Sequence, residues 1–147
     1  MNPDIDRHDA QAQFDRFVFQ MDDRIEALQT FAAAFDLDLG IDSLERLEAF
    51  FSAHRDAPPD GLDETDLIVL CGRYLGEVVR TNFGGAWTLP LDDPHDVYFN
   101  QPVIAGHVAG DHVFAPLAVM RGFARRRRAG MLRVAVAAQT ASPATRS

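Results

Sequence analysis

The stretch DETDLIVLCGRYLGEVVRTNFGGAW, residues 63–87, is where the reading of this chain turns from helix to sheet. Asp63 has the side chain and position of an N-cap, and Glu64 and Asp66 in the next turn suit the positive end of a helix dipole. Leu67, Leu70, Cys71, Tyr74, Leu75, Val78 and Val79 recur at steps of three and four. Ile68 and Val69 add a second apolar side, so the spacing predicts the most deeply buried helix of the domain. Gly72 and Gly76 lie four residues apart on one face. Each costs about 1 kcal/mol of helix propensity against alanine, which points to another element approaching the helix backbone there. Gly84 and Gly85 end the helix. Trp87 follows at once, so its ring has to lie near the helix end, covering Val79 or Phe83, as a core residue that joins helix to sheet.

Upstream, Phe14, Phe17, Val18, Met21, Ile25, Leu28, Phe31, Ala32 and Phe35 mark one apolar face, which predicts a single helix from about Asp9 to Phe35. Asp36 to Gly40 break it. Asp42 precedes Glu45 at capping-box spacing, and Leu44, Leu47, Phe50 and Phe51 predict a shorter second helix closed by the loop at Pro58-Pro59-Asp60-Gly61. Downstream the texture changes. Trp87–Pro90, Val97–Asn100 and Val103–Ala105 are short runs compatible with strands, separated by Asp, Pro and Gly, and Val108–Phe114 reads as a tight turn leading into another short strand. Pro116 suits the first position of a closing helix over about 116–129, with Leu117, Met120, Phe123 and Ala124 on its apolar face. Met131 to Ala138 fits either a strand or a helical extension. The expected architecture is α+β: three N-terminal helices, a small mainly antiparallel sheet from Trp87 to about Phe114, and a closing C-terminal helix. Residues 1–138 read as one domain and 139–147 as a flexible tail.

With 147 residues the chain has room for one domain, and 47% hydrophobic against 24% charged residues is globular composition. The run Leu67 to Cys71 is far shorter than the roughly 20 residues that span a bilayer. The start of the chain, Met1 to Asp9, is acidic where a signal peptide is basic and then apolar, so the expected location is cytoplasmic, without membrane contact. Cys71 is the single cysteine, which excludes an internal disulfide and a cysteine-rich zinc module. Every basic residue is Arg, and the net charge of -8 is unevenly spread. Residues 1–66 hold 17 acids and 5 arginines, whereas residues 67–147 hold 5 acids and 9 arginines. An acidic chain repels phosphate backbones, so nucleic acid is a poor partner and a basic protein, or a second copy of the chain, an easier one.

Two charged features are candidates for binding. Asp15, Asp22, Asp23 and Glu26 fall opposite the apolar face of the first helix, where like charges gathered together suit a docking surface as well as solvation. Arg125, Arg126, Arg127 and Arg128 form the sharpest charge run; it complements a helix C-terminus and also suits an acidic partner. His95, His107 and His112, with Asp111 and neighbouring aspartates, have the chemistry of a metal site or of acid–base catalysis. Their spacing fits no helical zinc motif, and turns use the same residue types for local hydrogen bonds, so the reading is no bound metal and no cofactor. Arg73, Glu77 and Arg80 share one helix face and read as an ion-paired surface stripe. Cys71 reads as a core side chain, not a nucleophile. No nucleophile elbow, zinc-protease motif or phosphate loop occurs.

The segments Tyr74-Leu75-Gly76-Glu77-Val78-Val79-Arg80 and Asn82-Phe83-Gly84-Gly85-Ala86-Trp87 resemble a group of small uncharacterised bacterial proteins, in which a helix ending in Gly-Gly leads into a Trp-bearing strand. Asn100-Gln101-Pro102-Val103-Ile104 and Phe114-Ala115-Pro116 are similar to that group's short strands and closing helix, so the likeness covers about residues 40–130. It implies an α+β domain and, by analogy with small bacterial immunity or accessory proteins, a role in blocking or assisting another protein. It carries over no catalytic residue. The expected function is a non-catalytic interaction domain acting through its acidic surface. The alternatives are a small hydrolase or metal-dependent enzyme using the His and Asp residues of the sheet region, and a homodimeric scaffold.

Overall fold

Asp63 caps the central helix as its position predicts. Its carboxylate accepts from Asp66 N–H at 2.8 Å while Asp66 accepts from Asp63 N–H at 3.1 Å, a reciprocal pair that satisfies two donors a helix start leaves open. The helix, α4, runs Glu64–Phe83 in a computed structural model that describes residues 6–55, 61–108 and 112–140. Ahead of it stand α1 (Arg7–Phe19), α2 (Met21–Phe31) and α3 (Leu44–His54), with 3-10 turns at Ala33–Phe35 and Ile41–Ser43. After it come β1 (Ala86–Thr88), β2 (Val103–Ala105), β3 (Val113–Phe114), α5 (Pro116–Arg126) and α6 (Met131–Thr140). The architecture is α+β, with a small antiparallel sheet in the order β1-β2-β3 and helices at the C-terminal end. No helix among the described residues is long and apolar enough to cross a membrane.

α4 packs against α2, α3, α5, α6 and β2, which explains a continuous buried run from Cys71 to Val79. The two glycines on its face admit close neighbours. A Cβ at Gly72 would lie 2.3 Å from Leu117 of α5, and one at Gly76 would lie 2.3 Å from two ring atoms of Trp87. Gly85 is required by conformation as well as space: its φ is +92°, and a Cβ there would sit 2.8 Å from the Ala105 carbonyl. That tight passage lets β1 start directly against β2, with Trp87 opposite Ile104.

The first helix is two helices, not the single one that the periodicity predicts. Arg73 Nη1 donates at 2.7 Å to the Phe17 carbonyl, the group an unbroken helix would offer to Met21 N–H, and α1 gives way to α2 at Gln20. A side chain inserted into the hydrogen-bond ladder is a recognised cause of a helix break. Ser43, not Asp42, stands at the start of α3, and it makes no side-chain cap; Asp42 and Glu45 instead both bind Arg133 of α6, each at 2.8 Å. Val97–Asn100 forms turns and not a strand, because Asp93 and Asp96 accept from His95 and Tyr98 N–H in local turns. α5 ends at Arg126, short of residue 129, with Arg127 in the left-handed region as its cap. Met131–Thr140 is a separate helix that reaches two residues into the stretch read as a tail; residues 141–147 and the Pro58–Asp60 loop lie outside the described residues.

A buried polar relay ties the segment between α2 and α3 to α4. Leu39 N–H donates to the Tyr74 hydroxyl at 2.7 Å, that hydroxyl lies 2.7 Å from Ser43 Oγ, and Ser43 donates to the Gly40 carbonyl. Asn82 takes the Leu39 carbonyl. Together they hold Leu39 at a φ of 67°, a conformation that costs a leucine free energy unless its surroundings impose it.

Candidate functional site

Asp15, Asp22, Asp23 and Glu26 are all exposed on α1 and α2, and among the described residues none of them forms an ion pair. Acids elsewhere do: Asp38 pairs with Arg46, Asp42 and Glu45 with Arg133, Glu64 with Arg55, Glu77 with Arg80 and Asp92 with Arg7. The acids of the α1–α2 junction thus lie outside these close pairs, although, after the Glu77 hydrogen bond, the Asp22 charge helps to push the Arg80 pKa up. Phe19, with Asp15 four residues before it and Asp22 and Asp23 close behind, is 85% exposed, and Val18 beside it 40%. The apolar periodicity of the sequence skips Phe19. That omission was the legible signal: a phenylalanine off the buried stripe of an amphipathic helix is left to face water or a partner.

The arginine run divides. Arg125 and Arg127 line a hollow of about 630 Å³ together with Arg55, Arg121 and Glu64, whereas Arg126 and Arg128 are exposed outside its lining. Arg55 is engaged by Glu64 at 2.6 Å and by the Ala124 carbonyl at 2.7 Å, and Arg121 by Gln101 at 2.9 Å. Sequence reading did not connect Arg55 and Arg121 with the run, because α3 and α5 meet there only in the tertiary fold.

The Arg73–Glu77–Arg80 stripe is a buried arrangement with one exposed end. Glu77 is 4% exposed and Arg73 7%, while Arg80 is exposed. Glu77 accepts two hydrogen bonds from Arg80, both 2.9 Å, and one from Trp87 Nε1 at 2.8 Å. Trp87 itself is half-buried, covers Gly76 and meets Phe17 edge-on at 5.1 Å, so it joins helix to sheet at a different point from Val79 or Phe83. Burial pushes the Glu77 carboxyl up, but the bonds from Arg80 and Trp87 and the Arg80 charge outweigh it, and the net shift is below the usual glutamate value. A carboxylate held ionised in this way is a structural anchor and a poor proton donor. Because its pKa is lower folded than unfolded, its contribution is complete above the ordinary glutamate pKa of about 4.3 and disappears as pH falls through the lower folded value. The stability gap between wild type and Glu77→Gln is therefore expected to shrink on acidification below about pH 4. Urea unfolding of both proteins across a pH series measures it; a gap constant down to the acid limit contradicts the assignment.

Cys71 is fully buried in the core, which pushes its thiol far up and leaves it protonated. His95 and His112 are exposed, His107 is buried, and Asp111 lies outside the described residues. Among the described residues no three His, Cys, Asp or Glu side chains come together where they could hold a metal ion. No protein-family model matches the chain, and neither a curated protein nor a solved structure does.

Proposed function

We propose that this is a cytoplasmic, non-catalytic protein-interaction domain that docks a basic partner on the acidic junction of α1 and α2, in an immunity-like or accessory role. The observation that carries this reading is the set of exposed acids Asp15, Asp22, Asp23 and Glu26, none in an ion pair among the described residues, on the two helices that meet next to the exposed Phe19. An exposed aromatic side chain and nearby acids in sequence combine the two parts of a protein interface: an anchor that fills a pocket and a field that steers the encounter.

The test is capture of partners from the native host at low and high salt, followed by binding of the purified captured protein. Exposed charges are screened beyond about 8 Å at physiological ionic strength, so association with a basic partner slows steeply as salt rises. Binding falls in the variant carrying Asp22→Asn, Asp23→Asn and Glu26→Gln, and separately in Phe19→Ala. Equal binding by wild type and the triple variant rejects the proposal.

Self-association is the second reading, favoured by the hollow lined by Arg55, Arg121, Arg125 and Arg127 in a chain whose other end is acidic. It predicts a sedimenting dimer that dissociates with salt and is lost when Arg125 and Arg127 become Gln.

A further inference from the structure

Arg73 holds a buried charge for which the described residues supply no counter-ion. Its Nη1 takes the Phe17 carbonyl and lies 3.9 Å from Met21 Sδ, and its guanidinium carbon sits 3.9 Å above the Phe17 ring centroid. Nε and Nη2 meet no protein acceptor among the described residues and keep some access to solvent, where a ligand can reach them. Buried charges are ordinarily paired, because desolvation is costly. Here the charge that acts on it is of the same sign: burial, and then Arg24, lower the Arg73 pKa to about 10, which still leaves Arg73 cationic at neutral pH. Both arginines line a hollow of about 530 Å³ between α2 and the first half of α4, within the size range of small-molecule sites. Leu28, Phe31 and Leu70 give it an apolar wall.

Asp66 lines the same hollow, two helical turns before Arg73 and so about 10 Å from it along the axis. The site is cationic at one end, apolar between and acidic at the other. An acid at the far end repels a second negative charge there, which selects against dianions that would span the hollow.

We propose that this hollow binds a small amphipathic monocarboxylate, its head group between Arg73 and Arg24 and its apolar body along Leu28, Phe31 and Leu70. A guanidinium takes a carboxylate through two parallel N–H bonds, and a carboxylate here supplies the missing counter-ion. Arg73 meets the α1–α2 junction at the Phe17 carbonyl and Arg24 lies between Asp23 and Glu26, so the hollow adjoins the acidic surface, and octanoate binding is read without the proposed partner.

Octanoate is the probe, with octanol and octanedioate as matched controls, followed by calorimetry and by the emission of Trp87, whose ring touches the Phe17 ring beneath Arg73. Wild type is expected to bind octanoate about tenfold or more tighter than either control, the difference of one charge-assisted contact. Arg73→Met removes that preference. Arg24 is exposed and makes no ion pair among the described residues, so Arg24→Gln keeps the fold and decides the matter should Arg73→Met not fold. It weakens octanoate several-fold and leaves octanol unchanged. Failure of wild type to bind octanoate at low millimolar concentration overturns the proposal, as does equal binding of octanol or octanedioate, or an Arg24→Gln protein that binds octanoate like wild type.

Discussion

Glu48→Ala lowers the stability of the domain by about 3 kcal/mol, the sum of two charge-assisted hydrogen bonds less the desolvation that the buried carboxylate no longer suffers. Glu48 is 6% exposed on α3, and its two oxygens accept from Gly130 and Leu132 N–H, both at 2.9 Å. Those are donors at the start of α6, which a helix leaves open and which an N-cap side chain ordinarily takes. Glycine at 130 has no side chain to do so, and a carboxylate from 82 residues earlier in the chain performs the task. The negative charge also lies at the positive end of the α6 dipole. Glu48→Gln keeps one acceptor oxygen and is expected to lose about half as much. Urea unfolding followed by circular dichroism gives both values, and hydrogen exchange shows α6 amides opening first in the alanine variant. A Glu48→Ala protein within about 0.5 kcal/mol of wild type contradicts the capping assignment.

Trp87→Ala is expected to cost about 3 kcal/mol, at the low end for loss of a large aromatic because the ring is only half-buried. Three contacts go at once: the packing over Gly76, the edge-on contact with Phe17, and the Nε1 hydrogen bond to Glu77. Trp87→Phe separates them. It keeps a ring over the Gly76 notch and leaves Glu77 one donor short, for a loss of about 1 kcal/mol. Circular dichroism in urea reads both, since Trp87 is the only tryptophan and its own fluorescence is lost with it. In wild type that fluorescence shifts to the red on unfolding; no shift places the ring in water already in the native state.

Periodicity and local chemistry made much of the fold legible. The cap at Asp63, the apolar set of α4, the glycine stop at Gly84-Gly85, Pro116 at the start of α5 and the close-approach glycines at 72 and 76 are all where the sequence places them. Each depends on neighbours within a few residues or on the 3.6-residue repeat, so the chain encodes it locally. The acidic residues of α1 and α2 were legible for the same reason, since a charged residue off the apolar stripe faces solvent.

Side chains reaching across the fold settled the rest. Arg73 breaks the first helix from 56 residues away, Glu48 caps α6, and Arg133 withdraws Asp42 and Glu45 from the capping box that their spacing suggests. Glu77 and Arg73 read as a surface stripe because charge ordinarily means exposure; Trp87 and Phe17 cover them, and no spacing rule places those rings over that face. The sequence determined that the segments of α1 to α5 are helical, though not the break at Gln20 nor the helix at Met131–Thr140, and it determined where α4 starts and stops and which residues are apolar enough to be buried. Only the tertiary structure decided which polar groups are buried with them, because a buried donor or charge must find its partner wherever the packed chain happens to bring one.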